Sequence, residues 1–157
     1  MLAAFKPSCA VMKSVYSLAE TLAKDPARIA KVQSLTLDSA RPHLGLQGGH
    51  GLFGSDAWWA SIKDGSIQTQ TVTGIIERTY FAGLDSRRGG QVNSVTLRLA
   101  DGSAVEESIY TNDKQDITLF MPGARVMVCY ALDLLKAQPA GDGGVNVARI
   151  VLEVSVG

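Results

Sequence analysis

The stretch Val95-Thr-Leu-Arg-Leu-Ala-Asp-Gly-Ser-Ala-Val105 decides how this chain reads. Val95, Leu97 and Leu99 alternate with Thr96 and Arg98, the period of a half-buried strand. Asp101-Gly102 follows, a pair that favours a tight two-residue turn with positive φ, and alternation resumes beyond it. The stretch therefore predicts a β-hairpin, with strands over Val92–Leu99 and Ala104–Tyr110. Three further segments carry the same period. Ile67–Phe81 sets Val72, Gly74 and Ile76 on one face and Ile75, Glu77 and Thr79 on the other. It is long for one strand, and Gly74 near its middle predicts a bend or bulge. Met121-Pro-Gly123 launches Ala124–Leu132, where Val126, Val128 and Tyr130 alternate with Met127, Cys129 and Ala131. Val145–Val156 closes the set, with Ala148, Ile150, Leu152 and Val154 alternating with Arg149, Val151, Glu153 and Ser155.

Five strands, a hairpin joining the second and third, and an insertion over Thr111–Phe120 before the fourth give an order that resembles the OB-fold. The Pro-Gly-Ala-Arg-Val-Met-Val element that enters the fourth strand is similar to that fold as well. An SH3-like small barrel is the alternative. The expected fold class is mainly β with N-terminal helices (α+β): a five-stranded antiparallel OB-fold-like barrel over 55–157. Residues 1–54 are expected to form a helical hairpin and a Gly-rich loop that pack on the barrel or on a partner.

Within 1–54, residues 8–24 read as an amphipathic helix, because Val11, Val15, Leu18 and Leu22 fall at spacings of four, three and four. Asp25-Pro26 restarts the pattern, since Asp caps well and Pro suits the first helical position. A second helix is expected over Pro26–Ser34, with Ile29 and Val32 apolar. Such a hairpin exposes its apolar stripe unless something covers it. Regular patterning then stops, and residues 41–54 hold five glycines and one proline. No Lys-Ser/Thr pair follows these glycines, so the phosphate-cradling pattern is missing, and the loop reads as a connector or a binding loop. Ser55–Gly65 predicts a short helix capped by Ser55 or Asp56 and ended by Gly65. Trp58 and Ile62 share a face of it that points to the core, while Trp59 projects about 100° away.

Charge and composition narrow the function. The chain has 15 basic and 15 acidic residues, a formal charge of zero. Residues up to Lys63 hold 7 basic and 4 acidic groups, the remainder 8 and 11, a mild asymmetry of +3 against −3. A dedicated nucleic-acid binder shows a basic face, because phosphate contacts dominate its affinity. Cys9 and Cys129 read as two reduced thiols of a cytoplasmic protein. No apolar run reaches the roughly 18 residues of a membrane span, and Lys6, Pro7 and Lys13 interrupt the N-terminal one.

Enzyme signatures are missing: there is no Gly-x-Ser-x-Gly, His-Glu-x-x-His or Cys-x-x-Cys. His43 and His50 are the only histidines, too few to fix a metal. Glu106 and Glu107 are strand neighbours and point to opposite faces, so they cannot act on one substrate. Neither catalytic residues, nor a cofactor, nor a metal is expected. Binding is the expected role, and the candidate residues are Trp59, Tyr80, Phe81, Arg87, Arg88 and Tyr110. The leading expectation is a non-catalytic protein-interaction or assembly module that binds a protein partner or itself. The alternative is a single-stranded nucleic-acid binder that uses the Arg87/Arg88 loop beside Tyr80 and Phe81. Neutral charge disfavours it, as does whichever of Glu106 and Glu107 lies on the expected face.

Overall fold

Ser94–Leu99 and Ala104–Ser108 form the expected hairpin in the computed structural model, which describes residues 12–83 and 92–157. Val95 pairs with Glu107 and Leu97 with Val105, and Val95 and Leu97 are buried. The turn is one residue longer than expected. Leu99 N–H donates to Ser103 O at 2.8 Å and Gly102 N–H donates to Leu99 O at 3.0 Å, leaving three residues in the loop. Only Gly102 takes a positive φ there, +88°, and Asp101 does not. The Asp101 carboxylate accepts instead from Ser103 Oγ at 2.5 Å and Ser103 N–H at 2.9 Å, which holds that carboxyl below its usual range. These local bonds favour the loop that closes on a left-handed glycine over the two-residue turn.

The elements run β1 (Lys13–Ser17), α1 (Leu18–Lys24), α2 (Pro26–Leu37), α3 (Asp56–Asp64), β2 (Gln68–Tyr80), β3 (Ser94–Leu99) and β4 (Ala104–Ser108). A 3₁₀ helix (Lys114–Leu119), β5 (Arg125–Leu134) and β6 (Val147–Val156) follow. The chain is α+β, and its strands form one six-stranded antiparallel sheet in the order β1-β6-β5-β2-β3-β4. Two expectations need correction here.

The first concerns the N-terminal helix. Its described part is helical only over Leu18–Lys24, and Lys13–Ser17 is a strand paired antiparallel to β6. The register shifts between Ser14 and Tyr16, so Val15 sits in a bulge. Successive strand residues ordinarily point to opposite faces; the bulge lets both Val15 and Tyr16 be buried. Pairing with β6 and burial of a Val-Tyr pair outweigh the helical spacing that the sequence shows.

The second concerns the barrel. The sheet has six strands and is open: among the described residues no ladder joins its outer strands, β1 and β4. Asn112 covers the free edge of β1 instead. Its N–H donates to Val15 O at 2.9 Å, and its Oδ1 accepts from Ser17 N–H at 2.7 Å. One residue thus satisfies backbone groups that a ladder would otherwise serve. The bulge expected at Gly74 falls later, between Ile76 and Arg78. Gly74 is needed for close packing, since a Cβ there would lie 3.0 Å from Arg98 O and from Leu97 Cβ.

Two compact units partition the described residues: 12–17, 71–83, 92–128 and 153–157 form one, and 18–70 with 129–152 form the other. The core of the first holds Ile76, Val95, Leu97, Val126 and Val154, each inward on its strand. In it Lys13 Nζ donates to Asp116 Oδ1 at 2.8 Å, which raises the Lys13 ammonium above its usual range. The core of the second is built around Trp58, with Leu18, Leu22, Leu46, Phe53 and Ile67. Expectations on Cys9, on residues 8–11 and on Arg87 and Arg88 lie outside the described residues. Cys129 is a free, half-buried thiol.

Candidate protein-binding surface

Helix α2 is well made and poorly covered. Asp25 Oδ1 accepts from Arg28 N–H at 3.2 Å, and Pro26 opens the first turn, as the sequence predicts. None of its 12 residues is fully buried: Ile29, Val32 and Leu35 are half-buried, and Leu37 is 68% exposed. An amphipathic helix usually hides its apolar stripe against its own core. This one leaves the stripe partly open.

The helix is nonetheless held firmly at its far end. Lys136 Nζ donates to Leu35 O at 2.8 Å, to Arg41 O at 3.1 Å and to Asp38 O at 3.3 Å. These carbonyls already accept from Asp38, Leu44 and Arg41 N–H in turn, and the cation takes up their second lone pairs and opposes the negative end of the helix dipole. The Gly-rich loop is tied to the end of β5 and the residues just after it. Lys136 N–H donates to Gly45 O, Gln47 N–H to Leu134 O, both at 2.9 Å, and Leu46 bridges Leu135. Replacing Lys136 by methionine keeps the stem and removes all three ammonium bonds. It is expected to cost about 2 kcal/mol and to speed amide exchange over residues 38–47. Arginine at 136 is not expected to rescue it, because a planar fork cannot reach three carbonyls around one point. Unchanged exchange in both variants would show that the clamp does not hold the loop.

Between α2, the loop and the strand ends lies a groove of about 380 Å³ within the second unit. Val32 and Leu35 from α2, Leu46 and Phe53 from the loop, and Leu135, Ala148 and Ile150 form its walls. Arg28 and Lys31 stand on its rim, both exposed. Lys31, Val32 and Leu35 follow Arg28 at three, four and seven residues, so the four share one helical stripe. Among the described residues, neither rim cation has a carboxylate partner. The neighbouring acids are engaged elsewhere: Glu20 with Lys24, Asp38 with Arg41, and Asp25 in the cap.

The groove rests on a rigid base. Phe53 packs edge-on against Trp58 at 4.9 Å between ring centroids, and Trp58 against Trp59 at 4.8 Å. Ser55 Oγ caps α3 by accepting from Trp58 N–H at 3.2 Å, and Gly65 ends it in the left-handed conformation, as expected. Trp58 Nε1–H donates to Asp133 Oδ2 at 2.9 Å, both groups being buried. Trp59 is half-buried behind Trp58 and is not part of the groove wall.

Of the other predicted binding residues, Tyr80, Phe81 and Tyr110 gather at one end of β2–β3–β4, where Tyr80 pairs with Ser94 and Ser94 with Ser108. They are largely engaged. The Tyr80 hydroxyl donates to the Glu106 carboxylate, and the Arg78 guanidinium covers its ring at 4.3 Å. Tyr110 is 39% exposed and packs on Tyr16 with 5.4 Å between centroids. A carboxylate and a covered ring make this a poor place to stack bases against a phosphate backbone. The first unit also has a groove of its own, lined by Lys13, Leu119, Met121 and Pro122. There the cation is already neutralised by Asp116.

Sequence reasoning named neither Arg28, Lys31 nor Lys136. The helix expected over Pro26–Ser34 stops short of Leu35, whereas the observed one runs to Leu37, and charges on a helix usually mark only its solvated side. Among the described residues no group of three or more His, Cys, Asp or Glu is placed to hold a metal. Nor is any helix long and apolar enough to cross a membrane.

The model of a protein family described as immunity protein RhsI2 matches residues 12–157, nearly the whole chain. No curated protein matches it. The chain therefore belongs to the RhsI2 immunity-protein family. Immunity is a protein-binding and non-catalytic function, in line with the leading expectation from the sequence.

Proposed function

We propose that this chain neutralises a polypeptide toxin by binding it, without chemistry, through the surface of the second unit that carries α2. The observation that carries the reading is the family match over residues 12–157. The exposed stripe of α2 supports it, because a helix capped at one end and clamped by Lys136 at the other presents that stripe already ordered. Preorganisation lowers the ordering cost of association. The strand neighbours β4-β3-β2-β5-β6 support an OB-like reading of the sheet, with β1 added beside β6. We place the encounter in the cytoplasm, where a free thiol such as Cys129 stays reduced.

The test is co-expression with each polypeptide encoded beside this chain in its genome. One of them should arrest growth alone, be tolerated in the presence of this chain, and copurify with it at one to one. Rescue without a complex would point to catalysis and overturn the reading. So would failure to rescue from any of them.

A further inference from the structure

We infer that the α2 groove receives an apolar side-chain cluster of the toxin that is flanked by carboxylates. This rests on the reading of the chain as a toxin-binding protein and names the chemistry of its contact. Three observations converge. The groove floor is mostly aliphatic and aromatic, so it gains chiefly from apolar contact and asks few polar groups of a partner. Its volume of about 380 Å³ admits a few side chains but no folded element. Its rim bears two like charges one turn apart, Arg28 and Lys31, with no acid of the described residues set against them.

Like charges at this spacing repel, and the free protein gains nothing from them. A carboxylate arriving at the rim relieves that repulsion and gains two charge-assisted hydrogen bonds as its neighbouring side chain desolvates the groove. A neutral apolar segment would leave the two cations half-desolvated and unpaired, at a cost; a basic segment would be rejected outright. Whole-molecule charge does not drive the choice, because it is zero. The selectivity is local to this rim.

The experiment titrates the toxin that the wild-type chain neutralises against three full-length proteins by calorimetry, in a salt series. They are the wild type, Arg28→Glu with Lys31→Glu, and Leu119→Arg with Met121→Arg in the first unit. Both rim positions are exposed, so the fold should survive reversal, and matching circular dichroism and melting checks this. The rim reversal should weaken binding roughly hundredfold and reverse the sign of its local salt dependence, since two glutamates would then repel the arriving carboxylates, whereas the first-unit variant should bind like the wild type. Binding of the rim variant within about twofold of wild type overturns the groove assignment and leaves the immunity reading intact. Loss of binding in the first-unit variant alone does the same and moves the contact to that unit. A wild-type dimer that the rim reversal dissociates, with toxin binding unchanged, assigns the groove to a second copy and overturns the inference. If the wild type binds no toxin at all, the functional reading itself fails.

Discussion

Replacing Trp58 by alanine should lower the unfolding free energy by about 4 kcal/mol or more. The indole is 0% exposed and lies between Phe53 and Trp59. Truncation removes its apolar burial and leaves a cavity that a strand-and-helix frame can only partly close. It also takes from Asp133, itself buried, the donor at 2.9 Å that satisfies its carboxylate. A buried acceptor without its donor bears the full desolvation penalty. Phenylalanine at 58 retains most of the volume and loses the donor, so it should cost about 2 kcal/mol. Urea denaturation of the three proteins, followed by far-ultraviolet circular dichroism, separates the two contributions. Equal losses for alanine and phenylalanine would mean that packing around the indole contributes little and the hydrogen bond nearly everything. With total stabilities of about 5–15 kcal/mol usual for a domain, the alanine variant should also show a large unfolded fraction at modest denaturant. Because Phe53 leans on Trp58 and walls the groove, partner binding should weaken along with stability.

The second large effect is expected at Gly51, where alanine should cost about 3 kcal/mol. Gly51 holds φ at +110°, a conformation that a residue with a Cβ enters only with strain. It also passes against the first turns of α3: a Cβ would lie 2.6 Å from Trp58 N and 2.8 Å from Ala57 C. Those are backbone atoms of a capped helix and cannot swing aside. Gly49, two residues earlier, is the internal control. It has no positive φ among the glycines of this loop, and a Cβ there meets nothing within 4 Å. Alanine at 49 should be neutral or stabilise by about 0.4–1 kcal/mol through the unfolded chain. Thermal melts of the two variants compare them directly, and similar shifts would rule out the close approach as the reason for Gly51.

These two positions show how unevenly the fold was legible. The strands β2 to β6, the Ser55 cap, the Gly65 stop and the core role of Trp58 could each be read from a few adjacent residues. The glycine-rich loop could not. Its composition marks it as irregular, but nothing local says that Gly51 must touch α3 or that Leu46 must bridge Leu135. The site was harder still. Searching for exposed aromatics and arginines led to Tyr80 and Tyr110, whose rings the structure sets against Arg78 and Tyr16. The groove is assembled from side chains of residues 28–35, 45–53 and 135–150, and no single window of sequence contains that set.

By itself the sequence determined whatever depends on neighbours along the chain. Alternation at period two made β2 to β6, Gly102 in a short polar loop closed the β3–β4 hairpin, and Asp25-Pro26 started α2, because steric preference, capping and patterning act over a few residues. The tertiary structure alone decided the rest. Lys13–Ser17 became a strand since β6, about 140 residues away in sequence, offered an unpaired edge. Lys136 became the clamp of a helix that ends about 100 residues before it. Such contacts carry free energy that local propensity does not contain, and here they also shape the groove beside α2.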